Sequence, residues 1–303
     1  MNVVRRFLRY VEIMTKITSV FPFLMCLVYL YYLGVPVNWP LTGIFFASMF
    51  LFDLTTTAIN NYVDTKTNGV PLQFSRGTAL ALIYILFALA AGLGILLALL
   101  TDAAVLLLGG LCFLCGVFYT WGPVPISRQP LGELLSGVFY GIFLPVILLY
   151  INLPAGRLFS LAFSAQSVVL SIRLAGAVPV ALLCVAPACA TANIMLANNI
   201  CDVERDAAVG RHTLPYYLGR RALPVFAALY APPYLASLAL VLAGFFPPLF
   251  LFSLVTAPIV FRNVRTFLGK QEKSSTFVLS VQNFILLMSG NIIFMFVCAL
   301  KGS

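Results

Sequence analysis

The chain has 303 residues, 62% of them hydrophobic and only 9% charged, with a mean hydropathy of +1.03. Soluble domains are about half apolar and about 25% charged, so these few charges cannot clothe a water-exposed surface, and a soluble globular enzyme, a disordered chain and a disulfide-stapled scaffold are excluded. Eighteen Lys and Arg against nine Asp and Glu leave a net charge of +9, which in a polytopic membrane protein points to basic cytoplasmic loops rather than to nucleic acid.

At the N-terminus, Arg5, Arg6 and Arg9 precede an apolar run. No clear small-residue cleavage site follows and the next apolar segment comes at once, which predicts an uncleaved first helix rather than a signal peptide. Stretches near 20 apolar residues are long enough to cross a bilayer core. Nine are found, at 17–34, 41–62, 78–100, 103–121, 131–151, 174–197, 222–243, 246–263 and 276–299. The charge-free run 222–261 is divided at Phe245-Phe246-Pro247-Pro248, where two prolines favour a turn. Backbone polar groups must be satisfied within lipid, which predicts helices throughout. The expected fold is an all-α bundle of nine transmembrane helices forming a single domain over 1–303. Seven cysteines lie mostly in apolar runs; Cys112-x-x-Cys115 has neither a second pair nor a His nearby, so buried free thiols are expected.

Basic residues set the expected orientation. The N-terminal segment and the loops after the second, fourth, sixth and eighth helices carry fifteen Lys and Arg, and the other side only Arg157, Arg173 and Lys301. By the positive-inside rule the N-terminus is cytoplasmic.

Of nine carboxylates, four sit in two Asn/Asp-rich segments. The first runs from Asn60 to Asn68 at the end of the second helix, the second from Asn198 to Asp206 at the end of the sixth. Four helices separate them, a spacing that suggests an internal duplication with halves near 1–150 and 151–303. Residues four apart on a helix share a face. Asn60, Asp64 and Asn68 therefore make one ladder of oxygen donors, and Asn198, Asp202 and Asp206 another. Hard oxygen ligands suit Mg²⁺, which takes one or two carboxylates and leaves its other positions to water or substrate phosphates. Two facing ladders would hold a metal-bridged diphosphate. Helix capping at the interface explains one such residue but not two matching nine-residue segments. A secondary transporter also pairs polar segments, although near the bilayer midplane rather than at helix ends.

At these residues the sequence resembles the UbiA superfamily of intramembrane aromatic prenyltransferases. Asp202-x-x-x-Asp206 matches that family's second acidic segment; in the first, Asn61 and Asn68 stand where aspartates are common and Asp64 is the acid. The stretch from Ala197 through Gly210-Arg211-x-Thr213-Leu214 resembles the 1,4-dihydroxy-2-naphthoate branch of menaquinone synthesis, as do Tyr119-Thr120-x-Gly122-Pro123-x-Pro125 and Leu131-Gly132-Glu133. The resemblance implies transfer of a polyprenyl group from its diphosphate to an aromatic ring, with decarboxylation for the naphthoate. Other acceptors in the superfamily, such as 4-hydroxybenzoate, a chlorin or a haem precursor, are the alternatives.

On this reading Asp64, Asp202 and Asp206, with Asn60 and Asn198, hold Mg²⁺, the one cofactor expected. Lys66 and Arg211 are candidates for binding phosphate oxygens, and Asn61, Asn68, Asn199, Tyr119 and Glu133 for further substrate contacts. Arg76 and Arg128 equally suit ordinary loop charges, and Glu133 equally suits a helix N-terminus. Asp53 lies three turns before Asp64 on the same face, placed either for the acceptor's polar groups or for a buried hydrogen bond. His212 reads as a solvated loop residue, and Tyr62 and Tyr119 as possible π-face shields of a carbocation. The partners expected are a polyprenyl diphosphate, an aromatic acceptor and the lipid bilayer, with no nucleic acid and no obligate protein. The expected location is a bacterial inner membrane, with the site facing the cytoplasm.

Overall fold

The computed structural model describes residues 2–66, 71–122 and 125–302. Among these, nine helices are long and apolar enough to span a bilayer: Ile13–Tyr32, Trp39–Asp64, Arg76–Leu100, Ala103–Thr120, Gly132–Tyr150, Leu174–Ala208, Leu214–Leu242, Pro248–Gly269 and Phe277–Lys301, numbered here spans 1 to 9. The chain is a multi-pass integral membrane protein, and each span overlaps one predicted from the sequence.

The largest extension is in span 6. Its 35 residues make a rod roughly 52 Å long at 1.5 Å per residue, against a hydrocarbon core of about 30 Å. Helix formation continues past the predicted end at 197 because Asn198–Ala208 contains no Gly or Pro to stop it. Span 7 starts earlier than predicted, in short pieces Leu214–Leu218, Ala222–Ala228 and Ala231–Leu242. Two of these pieces open with prolines at their first positions, where a missing N–H costs nothing. The all-helix expectation omits one element, a hairpin between spans 5 and 6 in which β1 (Phe159–Phe163) pairs antiparallel with β2 (Val168–Ile172).

Small residues set the closest approach in the bundle. Gly137 and Gly141 of span 5 face Ala188 of span 6; a Cβ at Gly137 would stand 2.7 Å from the Ala188 carbonyl oxygen, and one at Gly141 would overlap the Ala188 backbone. Glycines one turn apart let two helix backbones meet without side chains between them. A single π turn, Phe139–Phe143, interrupts span 5 at this crossing, an irregularity that re-aims the side chains it carries. Before span 1, a short helix (Val3–Tyr10) packs against spans 2 and 3, its Tyr10 hydroxyl donating to the Ala58 and Ala79 carbonyls at 3.1 and 3.2 Å. Spans 3 and 4 are the least enclosed by protein and turn Ile85, Leu89, Leu106 and Leu114 outward, the surface expected against lipid.

Candidate active site

A cavity of about 720 Å³ opens among spans 1 to 6 and receives Asn60, Asn61 and Asp64 from span 2 and Asn198, Asp202 and Asp206 from span 6. Spans 2 and 6 do not pack along each other, so the two polar segments face across this space from separate walls. Each is held by a contact from a distant loop. Thr120, at the end of span 4, donates to the Asn60 amide oxygen. Asn61 donates to the Tyr10 carbonyl at 2.8 Å and to Glu12 at 3.3 Å.

On the facing wall, Lys273 from the loop between spans 8 and 9 donates to Asn198 and, at 2.7 Å, to Asp202 Oδ2. Arg205 takes the other Asp202 oxygen at 3.0 Å. The Asp206 Oδ2 atom is buried with no hydrogen-bond partner, and Arg211 Nε stands 3.7 Å from it. Arg211 Nε instead donates to the Ser127 carbonyl at 3.0 Å, and the His212 amide donates to the Arg128 carbonyl at 3.1 Å, which ties the loop after span 6 to the loop after span 4. With Arg128, Arg205, Arg211 and Lys273 lining the cavity together with Glu12, Asp64, Asp202 and Asp206, four carboxylates and four cations share one opening. Such an arrangement favours a polyanion bound together with a cation.

Further in lies a second polar group. Lys16 and Asp53, 3% and 5% exposed, form an ion pair at 2.9 Å. The Lys16 ammonium also donates to the Asp53 carbonyl at 3.0 Å and to Thr57 at 2.5 Å, so its three donors are used. Tyr140, on the π turn of span 5, donates to Asp53 Oδ1 at 2.8 Å, and Ser19 to Oδ2 at 2.7 Å. Lys16, one of the basic residues counted in the N-terminal segment, is thus buried inside the bundle, beyond the corner at Glu12 with its positive φ of 46°. The rest of the lining is apolar. Phe52 and Phe113 stack at 4.0 Å. Gly94, Gly109 and Gly116 line the cavity beside them; a Cβ at Gly116 would meet the Phe52 ring at 2.6 Å, whereas one at Gly109 meets open space.

Among the described residues no three Asp, Glu, His or Cys side chains converge as a metal cage. The expected set of Asp64, Asp202, Asp206, Asn60 and Asn198 therefore divides into two acid–amide groups, one per wall. That division fits Mg²⁺, which needs only one or two carboxylates when substrate phosphates complete its shell. The orphaned Asp206 oxygen fits it too, since a buried carboxylate oxygen without a donor is costly unless a cation meets it.

Several expected residues lie elsewhere. Asn199 and Glu133 pair with each other at 2.8 Å, 1% and 3% exposed, between spans 5 and 6 and outside the cavity lining. Lys66 and Arg76 sit over the Tyr62 ring at 5.3 and 5.1 Å, and none of the three lines the cavity. His212 packs on Tyr216 at 4.3 Å, also away from it. Tyr119 does line the cavity, its hydroxyl 3.9 Å from Met195 Sδ. Asn68 lies outside the described residues. The contacts of Lys273 and Tyr140 carry no sequence signal, since each meets its partner more than 70 positions away; Thr120 falls in the Tyr119-Thr120 motif, but its contact with Asn60, 60 positions away, is not readable from it. All seven cysteines are free thiols, as expected; Cys26, Cys184 and Cys298 are buried, whereas Cys112, Cys115, Cys189 and Cys201 are half-buried.

A family model described as the UbiA prenyltransferase family matches residues 19–290. The 1,4-dihydroxy-2-naphthoate octaprenyltransferase of Bacillus subtilis (strain 168) is 28% identical over 232 residues, covering 72% of this chain and 68% of the relative. Two solved structures share the fold. One is of digeranylgeranylglyceryl phosphate synthase (TM-score 0.68, 15% identity, 99% of this chain and 100% of that one). The other is a UbiA homologue from Archaeoglobus fulgidus bound to GPP and Mg²⁺ (TM-score 0.61, 14% identity, 97% and 99%).

Proposed function

The chain belongs to the UbiA prenyltransferase family, and from that premise we propose that it transfers a polyprenyl group from its diphosphate to 1,4-dihydroxy-2-naphthoate, with Mg²⁺, in menaquinone synthesis. The observation that carries this reading is that residues of both acid–amide ladders, on separate helices, line one cavity whose interior is apolar except for the Lys16–Asp53 group. The naphthoate acceptor rests on the 28% identical relative.

Asp64 with Asn60, and Asp202 and Asp206 with Asn198, are the residues that hold Mg²⁺. When bound there, the metal supplies charge neutralisation to the leaving diphosphate. Arg211 and Arg128 bind its outer oxygens from the mouth, and Arg211 is positioned for this by its bond to Ser127. The Phe52–Phe113 wall excludes water from the allylic carbon once its C–O bond breaks. The open space beside Gly109 of span 4 takes the chain, against the side of the bundle nearest lipid.

Thr57 is seven residues before Asp64, roughly 10 Å deeper along span 2, which leaves room for the reacting carbon and a bicyclic ring. Because the three donors of Lys16 are used, the inner group offers the remaining lone pairs of Asp53 and the hydroxyls of Tyr140 and Thr57. These receive the ring O–H groups of a dihydroxy acceptor. A C–C bond forms at the carboxyl-bearing ring carbon, and the carboxylate leaves as CO₂, its bonding electrons restoring the aromatic ring. With fifteen of eighteen Lys and Arg on the side of the cavity mouth by sequence count, the mouth opens to the cytoplasm.

Turnover of purified protein in nanodiscs with Mg²⁺, a polyprenyl diphosphate and either 1,4-dihydroxy-2-naphthoate or 4-hydroxybenzoate, read by product mass, tests this. A prenylated, decarboxylated naphthalene is expected, and diphosphate release is lost in Asp202→Ala with the fold retained. Product from 4-hydroxybenzoate alone overturns the acceptor, and unchanged turnover in Asp202→Ala overturns the metal assignment.

A further inference from the structure

Lys273 occupies an unusual position. Its ammonium lies between the amide oxygen of Asn198 and Asp202 Oδ2, the two adjacent rungs of the second ladder, where a hard cation would take the same oxygens. The loop that delivers it is built to hold it there. The Glu272 carbonyl accepts from the amides of Ser275, Thr276 and Phe277 at 3.0–3.4 Å. The Glu272 carboxylate takes Lys270 at 2.9 Å and the Ser275 hydroxyl at 2.8 Å. The Lys273 side chain is 43% exposed, its ammonium 5.0 Å from the Phe277 ring centre, and it lines the cavity mouth. Lysine is a point charge on a four-carbon stem, so the head can swing into the mouth without any backbone change.

We propose that Lys273 is a tethered counter-ion: it occupies the cation position of the second ladder while the donor is absent, and passes to the diphosphate when the metal takes Asn198 and Asp202. This rests on reading that ladder as a divalent-cation site. An ammonium and a divalent ion cannot share the same oxygens, so metal entering alone must displace Lys273 into solvent with no new anion to meet it. Metal entering with a diphosphate gives the ammonium a partner of opposite charge. The two ligands therefore bind with positive coupling, each tightening the other by the same factor.

The test is Mn²⁺ binding to the full chain in nanodiscs, followed by electron paramagnetic resonance of the free ion, with and without a non-reactive prenyl thiodiphosphate. In the wild type Mn²⁺ binds weakly alone and about tenfold tighter with the thiodiphosphate, within the range of ordinary coupling. In Lys273→Gln, Mn²⁺ alone binds about tenfold tighter than in the wild type and the thiodiphosphate adds little, while Lys273→Arg keeps the coupling. Equal Mn²⁺ affinity in wild type and Lys273→Gln, with coupling intact, overturns the counter-ion role and leaves the metal reading standing. No Mn²⁺ binding in any form overturns the metal reading and the counter-ion role with it.

Discussion

Removing the Lys16 ammonium tests whether the inner polar group is a mutually dependent pair. Lys16 and Asp53 are 3% and 5% exposed and 2.9 Å apart, and breaking such a buried pair from one side costs about 3–5 kcal/mol, because the other charge is left behind. The two sides are not equivalent. In Lys16→Met, Asp53 keeps the Tyr140 and Ser19 hydroxyls at 2.8 and 2.7 Å, and hydrogen bonds to a charged group are worth about 1.5–3 kcal/mol each. The cost should fall near the low end, about 3 kcal/mol. In Asp53→Leu, Lys16 keeps only a carbonyl and the Thr57 hydroxyl, so the cost should approach about 5 kcal/mol. The double variant buries no charge, the Ser19 hydroxyl has the residue-16 backbone carbonyl within reach at 2.9 Å as its acceptor, and Tyr140 faces the cavity. It should lie within about 2 kcal/mol of wild type. Equilibrium unfolding in micelles, with reactivity of the buried thiols Cys26, Cys184 and Cys298 as a second probe, measures all three. Costs that simply add in the double variant would refute the pairing argument.

Three further outcomes follow from particular contacts. Gly141→Val inserts a side chain where a Cβ alone overlaps the Ala188 backbone; it should destabilise by at least about 1–3 kcal/mol, the usual cost of overpacking, seen as a lower unfolding midpoint. Gly109 lines the cavity and a Cβ there meets open space, so Gly109→Phe should fold normally yet lower kcat/KM for octaprenyl diphosphate by about tenfold, roughly 1.4 kcal/mol, and much less for geranyl diphosphate. An equal fall for both donors would refute the chain path. Arg211→Ala should raise the KM for the prenyl diphosphate well above that of Lys66→Ala, since Arg211 lines the mouth and Lys66 sits over Tyr62; steady-state kinetics of the two variants decides it.

What the sequence determined by itself is whatever repeats along a single helix. Twenty apolar residues must be a span, because nothing in lipid satisfies an unpaired backbone group, and the break at Phe245–Pro248 falls where the chain turns. The i, i+4 ladders at Asn60–Asp64 and Asn198–Asp206 follow from helical periodicity alone, and the structure places both on one cavity. Tertiary structure decided everything that depends on partners remote in the chain. Glu133 and Asn199 are 66 positions apart and pair with each other outside the cavity. Lys16 reads as one more basic residue of the N-terminal segment until the fold sets it against Asp53. Lys273 lies in an unremarkable charged loop, yet reaches Asp202 across 71 positions. A buried charge must find its counter-charge wherever packing places it, and only the crossing of helices, set here by residues as small as Gly137 and Gly141, fixes that place.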